Sequence, residues 1–369
     1  MEEKNFEISS GDRGELIVAP SCPYRPRDPK SYSPNIGLIG CGPITTSHLR
    51  AYSAAHYRVV ALCDVNLGRA LDRQREFYPD AEVYSDYREL LARPDIQVVD
   101  IATQPAERAK IIEDALLSDK HVLSQKPFVT DLDTGERLVE LAERAGLRLA
   151  VNQNGRWSPH FSYIREAILA GHVGDVLGIH FGVHWNHDFV AGTPFDEIHH
   201  VVLYDFAIHW FDALSYFLGA KESTRVFASV KRASGQTAKP PLLGQALVEY
   251  EGSQATLAFD AFTKSGTKDS TIVTGTKGTL YSTGPDLGHQ TVTLSTPEGS
   301  GSPHLEGTWF SDGFHGTMAE LLCAIEDERE PSNSARDNLK SLALCFAAVR
   351  SANTGLPQVP GLVRELGSK

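Results

Sequence analysis

Cysteine is scarce and unpatterned: five residues in 369, at positions 22, 41, 63, 323 and 345, with no Cys-x-x-Cys pair. Their odd number and wide spacing predict reduced thiols and argue against a disulfide framework or a cysteine-based zinc site. No apolar run reaches the ~18 residues that a membrane-spanning helix needs. Basic residues nowhere cluster beyond the scattered Arg25, Arg27 and Lys30, and the formal net charge is −12. Nucleic-acid binding requires concentrated positive charge to neutralise phosphates, so that function class is set aside. The opening Met-Glu-Glu-Lys-Asn-Phe-Glu lacks the basic and apolar regions of a secretion signal, and a cytoplasmic location is expected. Internal repeats and leucine heptads are missing as well.

What is present fits a soluble globular chain: 41% apolar and 22% charged residues, with length enough for two cores. Residues 1–34 read as an added arm. Pro20, Pro23, Pro26, Pro29 and Pro34 favour extended backbone over helix. Such an arm is either a poorly ordered leader or a segment packed on a neighbouring subunit. From 35 to 154, apolar strands alternate with amphipathic helices: strands at 36–39, 58–63, 97–101, 121–124 and 147–151, helices at 44–54, 67–77, 86–92, 106–118 and 131–145. That alternation predicts a parallel sheet covered on both faces.

The organising stretch is Asn35-Ile-Gly-Leu-Ile-Gly-Cys-Gly-Pro-Ile-Thr45. A strand through Ile39 runs into Gly40, which suits a tight turn, and Gly42, which lets backbone approach a pyrophosphate. Pro43 and Ile44 then open a helix whose N-terminus can receive phosphate charge. Asp64 ends the next strand, 22 positions after Gly42, where a carboxylate accepts both ribose hydroxyls and repels a 2′-phosphate. NAD is therefore expected over NADP, with Asn66 and Arg69 near enough to modify that preference. Thr45 replaces the small third residue of the fingerprint. Thr103, Gln125 and Lys126 fall at strand ends, the edge where ligands collect in such sheets.

Beyond 155 the pattern changes. A helix at 158–170 ends at Gly171, a strand covers 176–185, and 199–218 reads as one long apolar helix carrying Asp205, His209 and Asp212 on a single face. Segments 224–232, 243–250, 255–263, 270–275, 278–281 and 291–294 alternate as short strands of a second, mainly antiparallel sheet. The stretch 283–308, rich in Gly, Ser, Thr and Pro, reads largely as surface loop. Two helices, at about 312–329 and 334–352, finish the chain. The histidines between 180 and 209 show no defined ligand spacing, and no metal site is assigned.

Taken together, Gly40-Cys41-Gly42, Asp64, Gln125-Lys126-Pro127, Arg156 with Pro159, Gly171 through Gly174, and Asp205-x-x-x-His209-x-x-Asp212 resemble the glucose–fructose oxidoreductase, inositol dehydrogenase and rhizopine-catabolism family. The resemblance implies an α/β fold: an N-terminal Rossmann dinucleotide-binding domain (35–154) followed by a C-terminal α/β domain (155–369) with an open, mainly antiparallel sheet. The final helices would pack back on the first domain. It also implies an NAD-dependent oxidoreductase acting on a hydroxyl carbon of a sugar, sugar derivative or cyclitol, assembled as a homodimer or homotetramer. By the same resemblance Lys126, Asp205 and His209 are catalytic and Asp212 is supporting. Gly40, Gly42, Pro43, Ile44, Asp64, Thr103, Gln125 and Lys126 would contact cofactor. From their place at the junction after the first domain, Asn154, Arg156 and Trp157 are expected, with His184, to join Asp205 and His209 around the substrate; the alternative is that Arg156 ties the domains together and Trp157 packs at the junction. Gln125 stands where the family carries glutamate and Arg108 where histidine is common. The first change should remove a negative partner from Lys126.

In this reading His209 takes the hydroxyl proton, because an ordinary imidazole titrates near neutrality. Lys126 steadies the developing alkoxide, and Asp205 either holds His209 or binds a neighbouring hydroxyl. Turnover should then depend on pH near neutrality through His209. Two other functions share these features: an NAD-requiring glycosidase working by transient oxidation, elimination and water addition, and a non-catalytic NAD-binding sensor or scaffold.

Overall fold

The computed structural model describes residues 15–366, so the first fourteen residues of the arm lie outside it. Chain order in the first layer is β1 (Asn35–Ile39), α1 (Thr45–Ala54), β2 (Arg58–Cys63), α2 (Leu67–Phe77), β3 (Glu82–Tyr84), α3 (Tyr87–Leu91), β4 (Val98–Ile101), α4 (Pro105–Leu117), β5 (His121–Gln125), α5 (Leu132–Arg144) and β6 (Leu149–Asn152). The strands form one parallel sheet in the order β3-β2-β1-β4-β5-β6. Strand order reverses between β1 and β4, which opens a crevice beyond their carboxyl ends. Side-chain caps start the helices: Asn66, Asp86 and Asp131 accept from the backbone N–H of Gly68, Arg88 and Thr134. The three-residue β3 carries too little pattern to be read from sequence.

A 3-10 turn (Asn154–Trp157) leads to α6 (Pro159–Leu169), β7 (Val176–His184) and α7 (Ile208–Leu218), then to β8 (Ser223–Lys231), β9 (Leu243–Tyr250), β10 (Ser253–Asp260), β11 (Lys268–Gly275), β12 (Thr279–Asp286), β13 (His289–Thr296) and β14 (Gly299–Gly301). Their sheet has the order β14-β13-β12-β11-β7-β10-β9-β8. It is antiparallel except where β7 lies parallel to β10. The expected loop at 283–308 is in large part strand. Thr and Ser alternate there with the buried Val292 and Leu294, a pleated, half-buried pattern that composition alone disguises.

Helix α8 (Trp309–Glu326) returns to the first sheet, where Phe314, Met318, Leu321 and Leu322 share a core with Ile36, Leu38 and Leu49. Helix α9 (Ala335–Thr354) packs on α7, α5 and β8. Each fully buried aliphatic side chain in these contacts contributes about 1.5–3 kcal/mol relative to exposure.

The described part of the arm packs on its own chain. Ile17 N–H donates to Ser300 O at 3.0 Å, and Tyr163 O–H donates to Pro20 O at 2.9 Å. The Glu326 carboxylate accepts from the backbone N–H groups of Lys30, Ser31 and Tyr32 at 2.7, 2.7 and 2.8 Å. Those three donors hold its pKa down at about 2. Sequence offered no sign of this anchorage, because the partners lie nearly 300 residues away.

Candidate active site

The turn after β1 is built for close approach. Gly40 takes φ +94°, and a Cβ there would sit 2.9 Å from the Ala102 carbonyl carbon. A Cβ on Gly42 would project into open space, where a ligand's phosphate could lie. Thr45 is buried, and its hydroxyl donates to Gly42 O at 2.6 Å, so the substituted third position closes the turn through a hydrogen bond. Pro43 lies exposed in the turn, and α1 begins two residues later at Thr45. A crevice of ≈ 550 Å³ is lined by Gly40, Gly42, Asp64, Arg69 and Thr103. Asp64 accepts from Cys41 N–H and Asn66 N–H, both at 2.8 Å, and keeps acceptor capacity toward the crevice. These residues fit a dinucleotide with an unphosphorylated adenosine ribose.

A second cavity of ≈ 410 Å³ adjoins the first at Ala102, Thr103 and Gln104. Ile44, Gln125, Lys126 and Asn154 line it from the first domain, and Asp205 and His209 from the second. Arg108 fastens the strand ends beneath it. Its buried guanidinium donates to the carbonyl oxygens of Thr103, Gln125 and Pro127. Desolvation lowers its pKa to about 10.

Gln125 acquires a physical explanation. Its Oε1 accepts from Lys126 N–H at 2.7 Å, which fixes the amide so that Nε2 donates to His48 Nε2 at 2.9 Å. The His48 proton then resides on Nδ1 and is donated to Asp100 Oδ2 at 2.7 Å, an oxygen that also accepts from Tyr52 O–H at 2.8 Å. Asp100 and His48 are fully buried. In this hydrogen-bonded line the Gln125 amide supplies the donor to His48 Nε2, a role that an ionised glutamate would not fill. Sequence reasoning missed His48 and Asp100. The one available signal was an aspartate inside the otherwise apolar β4.

Lys126 does not lose its negative partner; it finds one in the other domain. Its Nζ donates to Asp205 O at 2.9 Å and Asp205 Oδ1 at 3.3 Å. Asp205 lies in a π-helical turn, Val202–Phe206, which interrupts the single helix expected over 199–218. Ala207 N–H donates to Val202 O at 2.8 Å, the i→i+5 spacing of that turn. Insertions of this type recur at functional sites because they redirect backbone groups. His209 follows on α7, deep in the protein with one side against the cavity. Its Nδ1 is enclosed without a partner. Desolvation, reinforced by the Lys126 charge, drives the His209 pKa well below its ordinary value. The imidazole is thus neutral at pH 7, and the expected titration near neutrality does not survive its burial.

Four other sequence-selected residues lie elsewhere. Asp212, three residues beyond His209, turns away from the cavity. It accepts from buried Arg156 through Nε at 2.6 Å and Nη2 at 2.7 Å, while Asp337 accepts from the same Nη2 at 2.8 Å. Arg156 therefore ties the 3-10 turn to α7 and α9 and does not face the cavity. Trp157 packs on α8, where a Cβ at Gly316 would lie 2.1 Å from its ring. His184 pairs with Asp260 at 3.0 Å on the second sheet. Among the described residues no three His, Cys, Asp or Glu side chains converge as a metal site. Replacing Asp212 by Asn should destabilise the fold by about 2 kcal/mol, the scale of a hydrogen bond to a buried charge. Denaturant midpoints check this, with KM nearly unchanged; a raised KM at unaltered stability would return Arg156 to the substrate.

Residues 34–153 match the model of an oxidoreductase family with an NAD-binding Rossmann fold, and residues 161–281 match that family's C-terminal domain. D-apiose dehydrogenase of Paraburkholderia graminis is 25% identical over 86% of this chain and 87% of its own length. Inositol 2-dehydrogenase of Burkholderia multivorans is 31% identical over 50% of this chain and 54% of its own. An Agrobacterium radiobacter oxidoreductase solved with NAD+, L-tartaric acid and magnesium superposes with a TM-score of 0.81, at 23% identity over 89% of this chain and 99% of that one. With both domains matched and the dinucleotide crevice in place, the chain belongs to the glucose–fructose oxidoreductase, inositol dehydrogenase and rhizopine-catabolism family of NAD-binding oxidoreductases.

Proposed function

We propose that the protein is an NAD-dependent dehydrogenase that oxidises a hydroxyl carbon of a sugar, a sugar derivative or a cyclitol. The observation that carries this reading is the meeting of Lys126, Asp205 and His209 on one cavity that continues into the dinucleotide crevice. Sugars and cyclitols are also what the names of the matched dehydrogenases specify. Bound NAD+ supplies the hydride acceptor, so that a secondary alcohol becomes a ketone as its carbon loses hydride and its oxygen loses a proton.

The chain's own groups handle orientation and the proton. Neutral His209 takes the hydroxyl proton. Lys126 donates to the same oxygen and stabilises negative charge as it develops. Asp205 holds the Lys126 ammonium in place and can accept from an adjacent hydroxyl. Asp64, facing the crevice, gives preference for NAD over NADP through repulsion of a 2′-phosphate.

The test is a screen of free sugars, inositols and glycosides with NAD+ and with NADP+, following both NADH and any cleaved product. Net NADH formation with at least one neutral polyol, faster with NAD+, is the expected result. Glycoside cleavage without net NADH would replace this reading with the redox-assisted glycosidase.

A further inference from the structure

The cavity's composition narrows the substrate class, an inference that rests on the dehydrogenase reading. The groups assigned to handle the reacting hydroxyl are Lys126, Asp205 and His209, with Thr103, Gln104 and Asn154 also on the lining. The wall beyond them is aromatic: Trp185, His187, Phe206, Trp210 and Trp309. Trp185 and His187 stack with ring centroids 5.2 Å apart, His187 lies 4.2 Å from Phe206, and Trp210 lies 5.8 Å from Trp309. Trp309 Nε1 on this wall donates to Asn154 Oδ1 at 3.2 Å. Trp185 Nε1, Trp210 Nε1, His187 Nδ1 and the nearby Tyr204 Oη are all enclosed. Desolvation lowers the His187 pKa to about 4, so its ring adds no charge at neutral pH.

A free hexose or inositol carries hydroxyls on every side. Against this wall several would lose water without gaining a partner, which is unfavourable for each of them. The mouth is apolar too. Phe310 is 52% exposed, Phe195 43% and Ile44 38%, and all three border the same cavity. Exposed apolar side chains gathered at one opening mark a binding surface rather than random surface composition.

Charge points in a consistent direction. The two cations that line the cavity are both engaged, Lys126 by Asp205 and Arg108 by three backbone carbonyls. Lys126 keeps one of its three N–H donors for the reacting oxygen, but its charge is already balanced by Asp205, which would repel a phosphate or uronate.

We propose that the substrate is a neutral glycoside: a hydroxylated ring held at Lys126, Asp205 and His209, bearing an apolar, preferably aromatic, substituent against the Trp185–Trp309 wall and the Phe310 mouth. A small polar group is fixed by a few donors and acceptors while the apolar remainder supplies most of the buried area, the usual division in such sites.

The experiment compares, with saturating NAD+, the free sugar and its phenyl glycoside in the gluco, galacto, manno and xylo series, with phenyl glucuronide as the charged control. Initial NADH formation and tryptophan-fluorescence titration are both read. In at least one configuration the phenyl glycoside should show about tenfold or greater advantage in kcat/KM and in affinity, as burial of an aromatic ring predicts. Phe310→Ser should shrink that advantage, read as the ratio of phenyl glycoside to free sugar in kcat/KM and in affinity. Equal turnover and affinity for free sugar and phenyl glycoside, with NADH formed, overturns the glycoside inference and leaves the dehydrogenase standing. Preferential phenyl-glycoside binding without NADH from any compound supports the substrate class and overturns the dehydrogenase reading. Tighter binding of phenyl glucuronide than of phenyl glucoside overturns the requirement for neutrality.

Discussion

Lys126→Ala should lower kcat by about 10²–10³, the cost of removing one donor to a developing oxyanion, while NAD+ affinity changes little. The expectation follows from where the ammonium sits. Lys126 is delivered by the end of β5, but its Nζ reaches across to the Asp205 carbonyl and carboxylate, away from Gly40, Gly42 and Asp64. The crevice that would hold the adenosine and pyrophosphate is therefore intact in the variant. Loss of the ammonium also leaves Asp205 as the unpaired charge beside the substrate, which works against alkoxide formation. Stability should fall little, because both side chains keep partial exposure and such pairs contribute modestly. Turnover and NAD+ titration, measured on the same preparation, separate the possibilities. Loss of NAD+ binding in parallel with kcat would reassign Lys126 to the cofactor cradle.

How much of this site could be read from residues alone depended on sequence distance. β1, the glycine turn and Asp64 form a continuous strand–turn–helix–strand unit, and each element's pattern lies within a few residues of the next. The fold class followed from that unit and from the change to alternating strands after Gly174. Asp205 and His209 were legible as a pair because helical spacing joins them. The same spacing put Asp212 on their face, whereas three positions on it accepts from Arg156, which also donates to Asp337; these partners lie 56 and 181 residues from Arg156. The π-helical turn was invisible because its residues, Val202-Leu-Tyr-Asp-Phe206, differ in no obvious way from an α-helical run. His48, Asp100 and Gln125 form one hydrogen-bonded line only after three βα units have folded together. Gln125 was recognised as a departure, yet its reason lay on another strand. The arm's docking on Glu326 was equally hidden, since repeated prolines report backbone stiffness and say nothing of where the chain lands.

Replacing His209 by Gln or Ala should reduce kcat by roughly 10²–10⁴, the range for loss of a positioned general base, and the pH profile tells whether proton transfer is the reason. A base works in its neutral form. Burial and the Lys126 charge both favour neutral His209, so protonation requires a pH well below about 6.5, the ordinary imidazole value. The wild-type kcat/KM should accordingly stay level as pH falls through neutrality, and decline only on the acid side of that value. A limb near 6.5 would contradict a desolvated imidazole. In the His209 variants the acid limb should vanish with the activity loss; an unchanged limb would remove His209 as the titrating base. Lys126→Ala supplies a further check on the coupling. Without the neighbouring ammonium, protonated His209 is less disfavoured, so the residual activity of that variant should show its acid limb shifted toward higher pH. A shift in the opposite direction would mean that Lys126 does not act electrostatically on His209, and the two residues would no longer form one proton-handling unit.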